Sequence, residues 1–294
     1  MSLVRPLRAE DVPAAQALMA DTWSCLLRAR TGLNVQYPVR PASWYLARLR
    51  HEPLGCLCVE DEGEIIGTGF ALSSGNVGWI GPMEVGPRHQ GKGHGTRLLG
   101  ALEAHLVSRG CGAIGLETMK DVPRNLDFYA RNGYVKEQDT LYLEKGLLKP
   151  SPTRSKGEGA DLEEVRRLAA TINPGFDPSS EFQMHEEMGD GRALFAKGAA
   201  ALLLPDPIPG SGKAYLRTML TDGSGLDEGI GLIQRAEGEA AQAGARTMFT
   251  IVPERSEVLP LLMRSGYRPK GTDVRLMKGE FPRRHERHII SWSG

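Results

Sequence analysis

The chain of 294 residues has no excess of charge of either sign and no long apolar run. Lysine plus arginine number 36, as do aspartate plus glutamate, so no overall field attracts nucleic acid or an anionic membrane. No apolar stretch approaches the roughly 20 residues that cross a bilayer. Polar residues at Arg8, Glu10 and Asp11 interrupt any signal-peptide pattern. We therefore expect a cytoplasmic protein without nucleic-acid or membrane partners.

Cysteine is also scarce, and its spacing does not match a metal site. The chain has four cysteines: Cys25, Cys56, Cys58 and Cys111. Cys56 and Cys58 are predicted to be buried thiols on one face of a strand, in a reducing compartment. The histidines His89 and His94 have no evident third ligand, so we expect no metal and predict that both face solvent.

The chain does contain a glycine-rich stretch, GPRHQGKGHGTRLL, at residues 86–99. Gly91, Gly93 and Gly95 occupy every second position ahead of an amphipathic pattern, and no acidic residue lies between Gly86 and Arg97. Glycine lets the backbone approach a ligand closely. The N-terminus of a helix offers unpaired N–H groups and a partial positive charge. The stretch therefore predicts an anion site, most naturally for a pyrophosphate.

Two common phosphate loops do not fit this stretch. Lys92 is not followed by Ser or Thr, as a Walker loop requires, and Thr96 stands where the dinucleotide fingerprint has its third glycine. The pattern that fits is Gln/Arg-x-x-Gly-x-Gly/Ala. It is met by Gln90, Gly93 and Gly95, and one register earlier by Arg88, Gly91 and Gly93. The alternative is an ordinary glycine-rich turn before a helix.

The flanking segments have a recognisable order. Strands are predicted at residues 64–72, 77–85 and 113–119, with a helix at 96–108 between the last two. A short helix follows, carries Phe128 and Tyr129, and stops at Gly133 before Tyr134. The order is strand, glycine-rich loop, helix, strand and then a short helix with the Phe-Tyr…Gly-Tyr motif. In this order of elements and in these two motifs the chain resembles the GCN5-related N-acetyltransferase (GNAT) family.

The resemblance implies an α/β fold of two tandem GNAT-like domains, each a mixed, splayed β-sheet flanked by helices. It also implies acetyl-CoA as cosubstrate. The pyrophosphate would lie on the loop, and the pantetheine arm would pair with main-chain groups of the preceding strand. The implied coenzyme-binding residues are Met83, Val85, Arg88, Gln90, Gly91, Lys92, Gly93, His94, Gly95, Thr96 and Asn125. For Asn125, helix capping is the alternative.

Acid–base roles also follow from the resemblance. Tyr129 is the candidate general acid for the leaving thiolate, and aromatic packing, as for Phe128 and Tyr134, is its alternative. Glu117, on the strand twelve residues earlier, is the first candidate base, and Glu84 is the second. For either glutamate, a solvated strand position or an ion pair is the alternative.

A weak internal repeat indicates two domains, because residues 115–134 align without a gap onto residues 248–267. We predict domains at 1–148 and 160–294 joined by a linker at 149–159. The second copy is predicted to be degenerate: Asp222, Asp227 and Glu228 stand in its loop, Leu262 replaces Tyr129, and Thr250 replaces Glu117.

These features predict direct acetyl transfer to a primary amine in the first domain. The acceptor is predicted to be a small molecule, with a protein N-terminus or a non-catalytic acetyl-CoA sensor as alternatives. It would enter along a loop-rich span at residues 23–45. Helix packing is the alternative for the tryptophans there. We further predict an exposed helical face at residues 185–187, and either a subunit contact, in a possible homodimer, or a solvated terminus at 283–288.

Overall fold

The computed structural model describes residues 2–34, 36–148, 161–223, 226–280 and 288–290. These residues form two compact units, one from residues up to 73 with 78–114, the other from 74–77 with residues 115 onward. The predicted linker lies outside the described residues, so the boundaries at 148 and 160 stay a prediction. No helix within the described ranges is long and apolar enough to cross a membrane.

The first unit is a sheet covered by helices. Its strands lie in the order β1-β2-β3-β4, and β2 runs antiparallel to both neighbours that flank it. The strands are β1 (Leu3–Pro6), β2 (Cys56–Asp61), β3 (Glu64–Ser74) and β4 (Val77–Val85), and the helices are α1 (Val12–Thr31), α2 (Ala42–His51) and α3 (His94–Ser108). The predicted strand for Cys56 and Cys58 is confirmed, and both thiols are buried in one core cluster.

Helix α3 lies against the sheet where two glycines leave room for its leucines. A Cβ on Gly69 of β3 would come 2.7 Å from Cδ1 of Leu102, and one on Gly78 of β4 would come 2.7 Å from Cδ1 of Leu106. Both leucines are fully buried. A side chain at either glycine would therefore push α3 away from the sheet. This packing anchors the glycine-rich loop between β4 and α3 at both ends.

The span that we predicted to be loop-rich is mostly helical, so that prediction was wrong. Trp23 lies within α1, while Trp44 and Tyr45 lie within α2. Only residues 32–41 connect the two helices. The reason is tertiary: Tyr45 is buried in the core and packs edge-on against Phe70, which stabilises a helix whose sequence carries many polar residues.

The second unit continues with strands from both repeats. The order is β5-β11-β6-β10-β9-β8-β7, with β12 beside β9. Its strands are β5 (Ala113–Met119), β6 (Val135–Gly146), β7 (Arg192–Ala196), β8 (Ala199–Leu204), β9 (Lys213–Thr221), β10 (Thr247–Pro253), β11 (Arg268–Gly279) and β12 (His288–Ile290). Its helices are α4 (Pro123–Arg131), α5 (Leu162–Ile172), α6 (Ser179–Met188), α7 (Leu226–Gln242) and α8 (Leu259–Arg264).

The two repeats exchange a strand in this unit. Residues 115–134 align onto residues 248–267, an offset of 133 residues. The same offset relates β6 to β11, so these two strands are equivalent in the two repeats. Strand β6 of the first repeat pairs with β10 of the second, and β11 of the second repeat lies beside β5 of the first. The exchanged strands also pair with each other symmetrically, with Arg268 opposite Glu144 and Met277 opposite Val135.

Side chains follow the same exchange. The ammonium group of Lys145 on β6 lies 5.7 Å from the ring of Tyr267, and that of Lys278 on β11 lies 5.8 Å from the ring of Tyr134. Tyr134 and Tyr267 are the last residues of the aligned segments of the two repeats. The ring of each tyrosine contacts a lysine that belongs to the other repeat. Each repeat therefore completes the packing of its counterpart.

Candidate active site

The glycine-rich loop adopts the conformation that an anion site requires. Gly91 and Gly93 have φ values of 77° and 83°, in the left-handed region that disfavours other residues. A Cβ at either position would meet no atom within 4 Å, so the space beside the loop is open. Gly93 is the N-cap of α3, and no side chain caps that helix. Its first-turn N–H groups therefore face a space that can admit a phosphate.

The ends of the loop are fixed by side chains. The amide Nε2 of Gln90 donates to the carbonyl of Val85 at 2.7 Å. Arg97 donates to the Oγ of Ser2 at 2.8 Å, and Nδ1 of His94 lies 3.3 Å from the same oxygen. His94 is buried, so the prediction that it faces solvent was wrong. Burial of the side chain still allows the main-chain N–H of His94 to bind the coenzyme, and that role stays a prediction.

Strand β4 alternates in exposure as it approaches the loop. Met83 and Val85 are half-buried, whereas Pro82 and Glu84 are buried. Successive residues of a strand point to opposite faces. Glu84 therefore points into the first unit, on the face opposite the two residues predicted to bind pantetheine.

Glu84 is the centre of a polar cluster in the first unit. Its Oε1 accepts from Nε1 of Trp23 at 3.1 Å and lies 3.5 Å from Nη1 of Arg40. Its Oε2 accepts from Oγ1 of Thr68 at 3.1 Å. Two of these three contacts come from neutral donors, and the one cation is at the long end of hydrogen-bond distance. The side chain of Glu84 is only 3% exposed.

Aromatic rings surround this cluster. Tyr37 stacks on Trp23 with ring centroids 5.3 Å apart. Burial, the dominant cause, raises the pKa of Tyr45 to about 12, and the nearby charges of Arg40 and Glu84 act in opposite directions. Tyr45 therefore stays a neutral phenol at physiological pH.

Glu117 has a different environment. Its Oε1 accepts from Nη2 of Arg275 at 2.7 Å and from Nε of the same guanidinium at 3.2 Å. The side chain of Glu117 is fully buried. The residue as a whole is half-buried only because its main-chain atoms are partly exposed. Arg275 lies on the exchanged strand β11, and the pair joins the two repeats. Of the alternatives for Glu117, the structure shows an ion pair.

Tyr129 lies on α4 in the second unit. Its ring packs edge-on against Phe128 at 5.0 Å and Tyr134 at 5.8 Å, and the residue is half-buried. Asn125 does not cap this helix, because the N-cap is Val122. Its Nδ2 donates instead to Oγ1 of Thr118 at 3.3 Å. The acid role of Tyr129 and the pantetheine contact of Asn125 stay predictions.

The second repeat retains the packing but lacks these side chains. Leu220 occupies the penultimate position of the nine-residue strand β9, where β4 has Glu84, and it is fully buried. Leu262 is fully buried in place of Tyr129, and the hydroxyl of Thr250 donates to the carbonyl of Leu216. Asp222 in its loop pairs with Arg167 at 3.4 Å. Residues 224–225 and the side chain of Asp227 lie outside the described part.

One residue of the predicted exposed face at residues 185–187 is buried. His185 is only 2% exposed, and its Nδ1 lies 2.8 Å from Asp190. The prediction of an exposed face at residues 185–187 is therefore wrong for His185, while Glu186 and Glu187 are exposed. The residue lies on α6 one turn from Glu181, whose carboxylate forms a buried ion pair with Arg217 at 2.8 Å. Within the described residues, no three His, Cys, Asp or Glu side chains are grouped so that they could hold a metal.

Sequence reasoning missed three residues of these clusters. Arg40 lies within the span at residues 23–45 that was predicted to admit the acceptor, so its position was available as a signal. Thr68 is on a neighbouring strand, and Arg275 is 158 residues from Glu117. No local pattern indicates contacts of that kind.

Comparison with known proteins places these features in a family. The model of the acetyltransferase (GNAT) family matches residues 16–134. An acetyltransferase of Yersinia pestis (strain Pestoides F) is 30% identical over 101 residues, which cover 34% of this chain and 71% of that protein.

Solved structures share the fold over nearly the whole chain. A protein of Pyrococcus horikoshii described as a candidate acetyltransferase aligns over 99% of this chain and 95% of its own, with a TM-score of 0.72 at 18% identity. A tandem GNAT protein from the clavulanic acid biosynthesis pathway aligns over 97% and 100%, with a TM-score of 0.59 at 13% identity. The predicted tandem α/β fold is thereby confirmed. The chain belongs to the GNAT acetyltransferase family and is an acyltransferase, with acetyl-CoA as the family's acyl donor.

Proposed function

We propose that the first repeat transfers the acetyl group of acetyl-CoA directly to a primary amine, with Glu84 as general base and Tyr129 as general acid. The observation that carries this assignment is the environment of Glu84. Its carboxylate is held by two neutral donors and by one cation at 3.5 Å. Glu117 is neutralised by closer contacts to one guanidinium. Support therefore shifts from Glu117 to Glu84.

The proposed steps balance protons as well as bonds. Glu84 takes the proton that makes the acceptor amine neutral, and the nitrogen attacks the thioester carbonyl carbon. The C–N bond forms while the C–S bond breaks, and the second amine proton passes to water. Tyr129 protonates the thiolate; with reference pKa values near 10 for a phenol and 8.5 for a thiol, this transfer is uphill by about 2 kcal/mol, a cost small enough for a general acid held close to the sulfur. Main-chain N–H groups near Met83 and Val85 polarise the carbonyl oxygen.

The test compares Glu84→Gln with Glu117→Gln by following CoA release against pH. We expect Glu84→Gln to lower kcat/KM by about 100-fold or more and to remove the low-pH limb of the profile. Glu117→Gln leaves that limb in place, because it changes an ion pair rather than the base. Loss of the limb in the Glu117 variant alone would reverse the assignment.

Tyr129→Phe tests the acid role. It retains the ring packing with Phe128 and Tyr134 and removes only the hydroxyl. We expect kcat to fall by about tenfold or more, with the high-pH limb altered. An unchanged rate across pH would remove Tyr129 from the mechanism.

A small-molecule acceptor is supported by the enclosure of Glu84. Its oxygens lie under Trp23 and beside the loop that carries Tyr37, and its side chain is almost fully buried. A panel of small amines and of peptides with free N-termini, compared by kcat/KM, tests this part. Faster turnover of the peptides would favour a protein N-terminus instead.

A further inference from the structure

The strands β9 and β10 of the second repeat separate part-way along their length. They pair in parallel at residues 213–215 and 247–249, the first three of each strand. β9 is nine residues long and β10 seven, so most of each strand lies beyond this pairing. Just past the last pair, the hydroxyl of Thr250 donates to the carbonyl of Leu216 at 2.9 Å, where a main-chain bond would continue the ladder. The two strands therefore form the sides of a cleft.

The outer edges of both strands are already paired. β9 pairs with β8 from Tyr215 to Thr221, and β10 pairs with β6 along its whole length. A strand has two edges at which its main chain can form ladder bonds. Any further pairing of β9 at residues 218–221 must therefore come from within the cleft.

β12 provides that pairing. It runs antiparallel to β9, with His288 opposite Leu220 and Ile290 opposite Thr218, and it also contacts β10. Residues 218–220 of β9 are fully buried. Residues 281–287, which precede β12 and include most of the span predicted to be a subunit contact or a solvated terminus, lie outside the described part. The cleft is thus filled by three residues of the same chain.

The filled part of β9 corresponds to the part of β4 that is proposed to bind pantetheine. Both strands are nine residues long and lead into the loop before a helix, so Met219 stands where β4 has Met83. Ile289 of β12 is directly opposite Met219. Pantetheine carries two amide groups along an extended chain, so it can pair with a strand edge as a peptide does. β12 therefore offers β9 the kind of main-chain bond that the coenzyme is proposed to offer β4.

The loop after β9 does not suit the remainder of a coenzyme. Asp222 and Glu228 flank it, and no Lys or Arg occurs from residue 218 to residue 234. The loop of the first repeat has Arg88 and Lys92 instead. Carboxylates at the start of a helix compete with a bound phosphate for the same partial positive charge. A peptide strand needs no phosphate site, so this loop is compatible with the occupant that the structure shows.

Resting on the pantetheine contacts proposed for the first repeat, we propose that the cleft between β9 and β10 is a peptide-binding cleft. The chain fills it with its own residues 288–290, at the place where the first repeat takes the coenzyme. The cleft binds an extended peptide by strand addition and does not bind CoA. Because unpaired main-chain groups at a buried strand edge are costly, the occupant also completes the sheet of the second repeat.

A peptide added to a variant with a disabled β12 tests the proposal. Ile289→Pro/Ile290→Pro in the full-length protein, named the proline variant, removes two of the three main-chain donors of β12 and leaves β9 and β10 unchanged. A fluorescein-labelled peptide of residues 284–294 is expected to bind the proline variant at least about tenfold more tightly than the wild type, as measured by fluorescence anisotropy. The reason is that the strand of the wild-type chain competes at a high effective concentration. The same peptide with both prolines is the matched control and should bind neither protein.

Titration of both proteins with CoA separates the peptide cleft from a coenzyme site. We expect one CoA per chain with the same Kd in each protein, because the proposed coenzyme site lies in the first repeat. An unchanged Kd also shows that the proline variant is folded. Two CoA per chain in the proline variant would assign the cleft to the coenzyme and overturn the inference.

Hydrogen exchange in the wild type needs no variant. If β8 and β12 both stay paired with β9, all main-chain amides of residues 218–220 are protected, as measured residue by residue by NMR. Exchange of some of them at the rate of an open chain would show that β12 does not occupy the cleft.

The remaining outcomes are distinct. Equal affinity of the peptide for the two proteins, or equal binding of the two peptides, overturns the inference and leaves the proposed function standing. Absence of CoA binding by the wild type overturns the proposed function alone, since neither the peptide nor the exchange measurement uses the coenzyme.

Discussion

Replacing Gly93 by glutamate tests the phosphate site most directly. The substitution places a carboxylate at the N-cap of α3, in space where no atom lies within 4 Å of a Cβ. A Cβ at this position therefore meets no neighbouring atom, although the left-handed backbone strains any residue other than glycine. The change affects two quantities, the backbone conformation at residue 93 and the charge that a bound pyrophosphate would meet.

Both quantities can be estimated. A residue other than glycine in the left-handed region costs about 1–2 kcal/mol of stability. A unit charge about 5 Å from one phosphate charge, at an effective dielectric constant of about 20, costs about 3 kcal/mol. That electrostatic cost corresponds to a Kd about 100-fold weaker or more. Gly93→Gln carries the first cost without the second.

Gly110 provides a matched control at the other end of the same helix. It is exposed, has φ of 86°, and a Cβ there also meets nothing within 4 Å. The two glycines are separated by the 15 residues of α3, about 22 Å. Gly110→Glu should therefore lose the same stability, measured by thermal unfolding, and retain coenzyme binding.

Isothermal titration with CoA at low salt gives the result. We expect the wild type and Gly110→Glu to bind CoA with the same Kd and Gly93→Gln to bind slightly more weakly. Gly93→Glu is expected to bind about 100-fold more weakly than the wild type, and high salt should reduce that difference. If the Kd of Gly93→Glu stays within about threefold of that of Gly110→Glu, the main-chain pyrophosphate site is refuted.

Two further predictions concern groups outside the site. Burial raises the pKa of Cys56 to about 12 and those of Cys58 and Cys111 to about 11, whereas Cys25 is exposed. We therefore expect one fast-reacting thiol with DTNB at pH 8 in the native chain and four in denaturant, and Cys25→Ser should abolish the fast one; a second fast thiol would contradict the buried positions. Hydrogen bonds from Lys120 and then Lys136 lower the pKa of Asp139, so its charge stabilises the fold above the unfolded pKa near 3.9, and that contribution is lost as the pH falls through the lower folded value. Asp139→Asn should reduce the free energy of unfolding at pH 7 by about 1 kcal/mol or less and make little difference near pH 2, as measured by urea denaturation at both pH values; an equal loss at both would show that the charge is irrelevant.

Local chemistry explains which predictions were confirmed. The β4 strand, the glycine-rich loop and the start of α3 depend on features within one short stretch: apolar alternation, left-handed glycines and an amphipathic pattern. β5 was predicted at Ala113–Met119 and has those bounds. Such signals act between residues that are neighbours in the sequence, so they can be read from it.

Errors arose where burial is set by distant partners. His185 has the polar neighbours of an exposed helical position, yet it is buried and paired with Asp190. The helix α2 was missed because it is stabilised by the edge-on packing of Tyr45 against Phe70, which lies on strand β3. Polar composition alone did not indicate either contact.

The sequence by itself indicated the family, the glycine-rich loop proposed to bind phosphate, and the repeat, because each depends on residue types at short, fixed spacing. Only the tertiary structure decided that the repeats exchange β6 and β11, so that Arg275 of the second repeat neutralises Glu117 of the first. Pairing between strands depends on which edges meet in space, and the internal repeat makes both pairings equally compatible with the sequence pattern. That choice pairs Glu117 with a guanidinium and leaves Glu84, held by two neutral donors and by Arg40 at 3.5 Å, as the proposed base.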